Sequence, residues 1–452
     1  MGLSSLYNKL PAFLQNCAVS AYGLVRDRRR YGGKYKKQLA SVMSSEFYTS
    51  EQIRDIQEKE LKELLKIANT SVYYKKLFDS LEVSVENDDP FEILSKLPIL
   101  AKDQLRGHEE EFYTDAAKGA LNMHTSGSTG TPLNIKMSKE CLRLRMALLE
   151  RQRLRFGVTR RSRQLTFVGK KITSAWSKTF WRYNIFGHQM VMSVYDLSEK
   201  NKEKYLKAIT KYDPEVVEGY PSALSVIAEW LCEKKISLSV KCVFATAETL
   251  SEEQRDIISR GFGCPVVNYY GSTEGATMIT QCECGSLHVD DECGIIEFVR
   301  DDGSPAACGE SARMLITSFT TKATPLIRYD IGDMAVLSEK ECSCGRCRAV
   351  VSEIVGRVDD VFVTAEKGKV GRMSTTLKLL PSHVRRAQIQ QNSPSDFLLL
   401  LESDKEVEAS ALKLVLDDMT DKLGKVNISV EYTEHIPNGK NGKFRTQINH
   451  CK

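Results

Sequence analysis

No stretch of this 452-residue chain approaches the run of about 20 apolar residues that a transmembrane helix needs. The first residues lack a basic patch followed by a clean apolar core and cleavage site, so no secretory signal is expected and the cytoplasm is the expected compartment. No internal repeat and no low-complexity tract is found, which argues against solenoids and compositionally driven disorder. Excess charge is also scarce. Against 59 Asp and Glu stand 64 Lys and Arg, a net +5, too little to point to nucleic acid. What remains is an ordinary globular composition, 42% hydrophobic and 27% charged. The length suits two to three domains of about 150 residues each. The 13 cysteines are an odd number, and in a cytosolic chain clustered cysteines suggest metal rather than disulfides.

The chain is organised around one short segment. Between His124 and Pro132 stand Thr125, Ser126, Gly127, Ser128, Thr129, Gly130 and Thr131. The glycines allow positive φ and close approach of backbone to a ligand. Hydroxyls and exposed N–H groups then make a concave nest suited to phosphate oxygens. It is not a Walker loop, because no Gly-Lys-Ser/Thr end follows Gly130. Its flanks read as structured. Leu121 to His124 reads as a strand end, and Ser138 as the N-cap of a helix whose apolar positions are Leu142, Met146, Leu149 and Leu154.

Earlier, an apolar stretch from Leu10 to Leu24 leads into a basic run of Arg26, Arg28, Arg29, Arg30, Lys34, Lys36 and Lys37. That run suits a solvated helix face, or peripheral contact with anionic lipid or a partner. Ile53, Ile56, Leu61, Leu64, Leu65 and Ile67 have helical spacing. Farther on, residues 164–169 read as a strand, followed by Lys170, Lys171, Trp176, Lys178, Trp181, Arg182 and Tyr183. Such basic and aromatic interleaving suits a negatively charged small molecule or a plain surface. Val216 to Pro221 reads as a strand ending in a tight turn, Ser222 as the cap of a helix through Trp230, and Cys242 to Ala247 as an apolar strand. This alternation predicts an α/β layer with a largely parallel sheet, whose ligands bind beyond the carboxyl ends of the strands.

After a strand at Pro265–Val267 comes Asn268, Tyr269, Tyr270, Gly271, Ser272, Thr273, Glu274 and Gly275. A ring there can stack on a base, and a carboxylate can hold a metal that bridges phosphates. Arg328 to Asp333 puts a carboxylate after a turn, where it could accept both hydroxyls of a ribose. Gly356 to Asp360 is a short charged link. Beyond it a strand (397–401), a helix (409–423) and a strand (427–432) suggest a separate α+β unit, closed by a glycine loop carrying Lys440 and Lys443.

In this order and spacing, these stretches resemble the AMP-forming adenylating superfamily and, within it, the phenylacetate–CoA ligase-like family. The opening residues around Tyr7, Gln15 and Arg29 to Gly32 resemble the branch found in capsular and surface-polysaccharide gene sets. The resemblance implies an α/β fold. A large N-terminal adenylating domain (1–355, with 1–50 as an extension) would join through a hinge (356–361) to a small mobile α+β domain (362–452). It implies an enzyme that makes acyl-AMP and pyrophosphate from ATP and a small carboxylic acid, then passes the acyl group to coenzyme A or an amine.

The resemblance also implies roles. Thr125, Ser126, Gly127, Ser128, Thr129 and Gly130 would hold the β,γ-phosphates. Ala247 and Glu248 would contact adenine and Tyr270 would stack on it. Thr273 would meet the α-phosphate, Glu274 would bind Mg2+, Asp333 the ribose, and Arg357 the nucleotide. Asp359 would be the pivot, and Lys443 the cation at the α-phosphate and attacking carboxylate, where charge develops. Pocket candidates are Phe167, Trp181, Tyr220, Ala245 and Tyr269, with His124, Lys170 and His188 as polar anchors.

Two separated Cys/His clusters complete the reading: Cys282, Cys284 and His288, then Cys342, Cys344 and Cys347. Two such pairs closing on one another is the pattern of a zinc site. The resemblance implies a Cys-x5-His pair and a Cys-x-Cys pair, here Cys282, His288, Cys342 and Cys344, with Cys284 and Cys347 as possible replacements. Four protein ligands leave no open position, so a structural Zn2+ is expected.

Overall fold

The computed structural model describes residues 7, 9–124, 133–170, 172–173, 177, 179–247, 250, 252–300, 302–354, 362–370, 373–377, 379–381, 383–384, 386–436 and 447–451. The expected phosphate loop (125–132), the link 356–360 and the loop with Lys440 and Lys443 lie outside the described residues, as do Arg357, Asp359, Glu248, Lys171, Trp176 and Lys178.

One mixed sheet of 12 strands carries most of the chain. Its centre is the expected parallel layer: Gln189–Ser193, Gln164–Val168, Val216–Gly219, Cys242–Ala245 and Val266–Gly271, in that spatial order. Helices lead into Val216–Gly219, Cys242–Ala245 and Val266–Gly271, as parallel pairing favours, while Gln164–Val168 reaches Gln189–Ser193 through the strand Trp181–Asn184. Cys242–Ala245 is buried along its whole length, which explains its unbroken apolar run. From Val266–Gly271 the sheet continues antiparallel through Met278–Gln281, Leu287–Val289, Val350–Ile354, Tyr329–Leu337, Ser311–Ser318 and Gly294–Val299. Trp181–Asn184 is the other, antiparallel edge.

Two large cores flank the sheet. Helix Ser50–Ala68 opens with a capping box between Thr49 and Gln52 and buries Leu61, Leu64 and Leu65 against Ile279, Ile316 and Tyr329. Helix Pro221–Lys234 packs Leu224, Ile227 and Leu231 on Leu165 and Val243. Each such side chain contributes about 1.5–3 kcal/mol by leaving water. A second, four-stranded sheet follows: Asn427–Thr433, Asp396–Glu402, Arg386–Gln391 and Gln447–Asn449, with helix Ala409–Leu423 crossing from Asp396–Glu402 to its parallel neighbour Asn427–Thr433. It has its own core, including Ile389, Leu399 and Met419. Among the described residues no helix is long and apolar enough to cross a membrane.

Several local expectations change. Ser138 does cap helix Lys139–Arg155, accepting a bond from the Cys141 N–H at 3.1 Å. Yet the side it buries is Cys141, Ala147, Leu148, Arg151 and Gln152, while Leu154 is exposed. Buried ion pairs replace the apolar stripe. Arg151 meets Asp290 at 2.6 Å and Glu292 at 2.7 Å, and Arg155 meets Glu46 at 2.8 Å. Ser222 is not a cap. The helix starts at Pro221, whose missing N–H suits the first turn, with Tyr220 at the cap position. Asn268 to Gly271 extend their strand rather than follow it, because Tyr269 to Gly271 pair with Met278 to Thr280.

Candidate active site

The five parallel strands deliver their carboxyl ends to one rim. Backbone bonds tie the loops beyond them: Thr246 N donates to Gly219 O at 3.0 Å, and Val194 N to Val168 O at 3.1 Å. Tyr220 sits on this rim, its hydroxyl accepting from Gly169 N at 3.2 Å. Tyr195, which follows strand Gln189–Ser193, donates to Gly169 O at 3.2 Å from the other side. Sequence reading missed Tyr195, although the strand-end rule that selected Tyr220 applies to it equally. The Lys422 ammonium of the small α+β unit, held by Asp418 at 2.6 Å, lies 5.3 Å from the Tyr195 ring centre.

Tyr269 and Tyr270 are neighbours on one strand, so their side chains take opposite faces. Tyr269 packs beside helix Lys139–Arg155; burial, then the nearby Glu218, pushes its hydroxyl up to about 12. Tyr270 packs on the other core, and its hydroxyl donates to Asp333 Oδ2 at 2.8 Å. Asp333 does not follow a turn. It stands inside strand Tyr329–Leu337, at a register break against Ser311–Ser318, just after Gly332 at φ 76°. The irregularity aims its carboxylate at Tyr270.

Glu274 turns inward from the tight turn after Gly271. Arg145 Nη2 holds Ser272 O at 2.9 Å, and Thr320 Oγ1 holds Gly275 O at 2.7 Å. Gly275 has φ 73°, and a side chain there would strike Met137. Thr273 stays exposed at the tip. Glu274 is buried and meets Lys102 Nζ at 3.3 Å. Lys102 was not a sequence candidate. It arrives because Leu100 pairs with the Arg328–Asp330 backbone: Leu100 N donates to Arg328 O, and Asp330 N to Leu100 O, each at 3.0 Å. The segment that carries Asp333 therefore also carries Lys102 to Glu274.

Other candidates fall away. Ala245 and Phe167 are sealed in the core and offer no pocket surface. His188 precedes strand Gln189–Ser193, at the amino end of the parallel layer, and so is on the wrong rim. Trp181 pairs with Met192 at the correct end and is half-buried. Ala247 takes φ 68° beside Thr246 on the rim.

Cys282 lies in the turn between Met278–Gln281 and Leu287–Val289, and Cys342 and Cys344 in the loop before Val350–Ile354; the two arms adjoin because His288 pairs with Val350. The donor atoms of Cys282, His288, Cys342 and Cys344 all lie within 4.8 Å of one another. Cys282 and Cys342 sulfurs are 3.6 Å apart, and Cys344 Sγ is 3.4 Å from His288 Nε2. A tetrahedral zinc has edges of about 3.8 Å between sulfurs and about 3.5 Å from sulfur to imidazole nitrogen. The set fits. Burial, with Arg346, Arg155 and Arg348 nearby, pushes His288 down to about 4, the neutral form a metal needs. Cys284 and Cys347 are exposed and outside the cluster. Between and beyond the ligands, Arg346 reaches buried Glu46 at 2.6 Å and Arg348 reaches Glu292 at 2.7 Å.

Residues 39–308 match the family described as AMP-binding enzyme, and residues 362–450 match the CapK C-terminal domain. The chain is 27% identical over 460 residues to Protein CapK of Staphylococcus aureus, covering 100% of both chains. It is 26% identical over 328 residues to a phenylacetate-coenzyme A ligase of Thermus thermophilus, covering 69% of this chain and 72% of that one. Among solved structures it is similar in fold to a 2-hydroxyisobutyryl-CoA ligase in complex with 2-HIB-AMP and CoA, at TM-score 0.59 and 15% identity, over 90% of this chain and 91% of that one.

Proposed function

The chain belongs to the AMP-binding enzyme family and is an AMP-forming acid ligase, and we propose that it adenylates a small carboxylic acid destined for a surface polysaccharide. The observation that carries the site assignment is the Tyr270–Asp333 hydrogen bond, which couples a stacking ring to a ribose acceptor at the ligand rim.

The acid's carboxylate oxygen attacks the α-phosphorus of ATP, and the bond from that phosphorus to the bridging oxygen breaks with pyrophosphate leaving. A thiol or amine then attacks the acyl carbon, loses its proton, and AMP departs with the electron pair of the cleaved C–O bond. In this reading Thr125 to Gly130 cradle the β,γ-phosphates, Thr273 meets the α-phosphate from its exposed turn, and Ala247 with Glu248 borders adenine. Lys443 brings its cation from the small domain (362–452), with Asp359 as pivot and Arg357 beside the nucleotide. Tyr220 and Tyr269 border the acid. Glu274 would hold Mg2+, which supplies charge neutralisation between phosphate oxygens. Lys102 shares that carboxylate and orients it. Cys282, His288, Cys342 and Cys344 would hold a structural Zn2+ that fixes the arm carrying Arg346 and Arg348. ATP dependence suits a cytoplasmic enzyme.

Coenzyme A is one acceptor. The second reading, an amine acceptor on a uronic or amino sugar, goes with the surface-polysaccharide branch, and it is that branch which similarity to Protein CapK along the whole chain supports, where the phenylacetate–CoA ligase match covers 69%. A panel of coenzyme A, amino sugars and simple amines, offered with the acid that supports pyrophosphate release, separates them. Thioester formation excludes the amine reading and amide formation supports it.

A further inference from the structure

Helix Ala12–Tyr31 is built inside out. The side chains it turns to the protein are polar. Asn16 Oδ1 accepts from Tyr183 N at 3.0 Å, Ser20 Oγ donates to Tyr183 O at 3.2 Å, and Gln15 Oε1 accepts from Arg182 Nε at 2.7 Å. These bonds occupy the open edge of Trp181–Asn184. Gly23 lies against Asn184, with no room for a Cβ. The outward side is apolar from residue 13 to residue 25. Phe13 is 73% and Tyr22 69% exposed, and Leu14, Leu24 and Val25 are exposed with them. The turn after the edge strand extends the patch: Ile185 N donates to Ser20 Oγ at 3.1 Å, and the Ile185 and Phe186 side chains are 67% and 62% exposed. A helix on a globular surface has the opposite arrangement, and a contiguous apolar patch of this kind marks an interaction site.

Charge identifies the occupant. The first 45 residues hold eight Lys and Arg against one acid, Asp27, which pairs with Arg26 at 3.1 Å. Arg28 and Arg29 carry the outward face on past Val25, and Lys34, Lys36 and Lys37 follow, all exposed and without an ion pair among the described residues. A second copy meeting this face would set one basic segment against another. An apolar stripe continued by unpaired cations instead matches the acyl boundary and phosphates of a bilayer.

We infer that this face is a docking surface for an anionic lipid membrane, with the helix lying in the plane of the interface. Phe13, Leu14, Tyr22, Leu24, Val25 and Phe186 enter the headgroup–acyl boundary, and Arg28, Arg29 and the lysines meet lipid phosphates. The inference does not depend on the acid or the acceptor.

The test is co-sedimentation of the full chain with vesicles of phosphatidylcholine alone or with phosphatidylglycerol added. Two exposed pairs are replaced, Phe13→Glu with Val25→Glu, and Arg28→Ala with Arg29→Ala; unchanged circular dichroism admits each variant. Partitioning is expected to be at least about tenfold stronger with phosphatidylglycerol, to weaken with salt, and to fall at least about tenfold in either variant. Three results would overturn the inference. One is wild type that stays in the supernatant with anionic vesicles. Another is binding indifferent to both pairs. The third is a dimer in light scattering that dissociates on the Phe13 and Val25 substitutions, which would assign the face to a second copy.

Discussion

Tyr270 donates a hydrogen bond to Asp333 across 2.8 Å, from a regular strand to an irregular one. In the function proposed above, the bond holds Asp333, the proposed ribose acceptor, before nucleotide arrives. Tyr270→Phe keeps the ring and releases the carboxylate. Its KM for ATP is expected to rise about 3–10-fold with kcat nearly unchanged, roughly the 0.5–1.5 kcal/mol net contribution of one intramolecular hydrogen bond. Asp333→Ala removes the acceptor itself and is expected to lower kcat/KM by roughly 10–100-fold. Steady-state kinetics at varied ATP separates the two, and equal effects would contradict the division of roles.

Lys102 and Glu274 form a mostly buried pair, so removing one charge strands the other. Lys102→Met is expected to destabilise the protein by about 1–3 kcal/mol and to raise the KM for ATP. Lys118, paired at 3.1 Å with Asp115 on the surface, is the control. Lys118→Met is expected to change stability by less than about 1 kcal/mol. Urea unfolding with and without ATP reads both.

One zinc per chain is expected by elemental analysis of the purified protein. Cys344→Ser should lower it to near zero, while Cys284→Ser and Cys347→Ser keep it. Losing the metal frees the arm that sends Arg346 to Glu46 and Arg348 to Glu292, so a destabilisation of roughly 3–5 kcal/mol is expected. Retention of zinc in Cys344→Ser would remove that ligand set.

Glu292 gives a pH dependence of definite sign. Burial alone would raise its carboxyl, but Arg151 and Arg348 outweigh burial and hold it down at about 2. The folded value is below the unfolded one, so this stabilisation is full above about pH 4.5 and disappears as pH falls through about 2. The fall from 4.5 to about 2 corresponds to about 3 kcal/mol. Glu292→Gln is expected to lose about that much at pH 7 and to flatten the decline of unfolding free energy below pH 4.5. A variant as acid-sensitive as wild type would contradict the account.

Much of this is legible in the sequence. Helix Ala409–Leu423 has the bounds expected of it, and the apolar strand expected over Cys242 to Ala247 is one over Cys242–Ala245. The resemblance singles out Cys282, His288, Cys342 and Cys344 among the six Cys and His of the two clusters, and folding brings those four donor atoms together. What stayed hidden depends on distant partners. Helix Lys139–Arg155 buries Arg151 because Asp290 and Glu292 await it, and periodicity weighs no such pairing. Asp333 read as a turn residue because Gly332 signals one, whereas the glycine serves a strand irregularity. Lys102 had no signal at all, since its place follows from Leu100 meeting a backbone more than two hundred residues away.

Acid-dependent ATP–pyrophosphate exchange, run in parallel on wild type and Lys443→Ala over a screen of aryl, acyl and uronic acids, tests the account most directly. Exchange is expected with one class of acid in wild type. Lys443→Ala should lose it by at least about a thousandfold while still consuming preformed acyl-AMP of the same acid, since the role proposed for that lysine belongs to the first half-reaction. Exchange with no acid by folded, metal-loaded protein, or full exchange by Lys443→Ala, would contradict it.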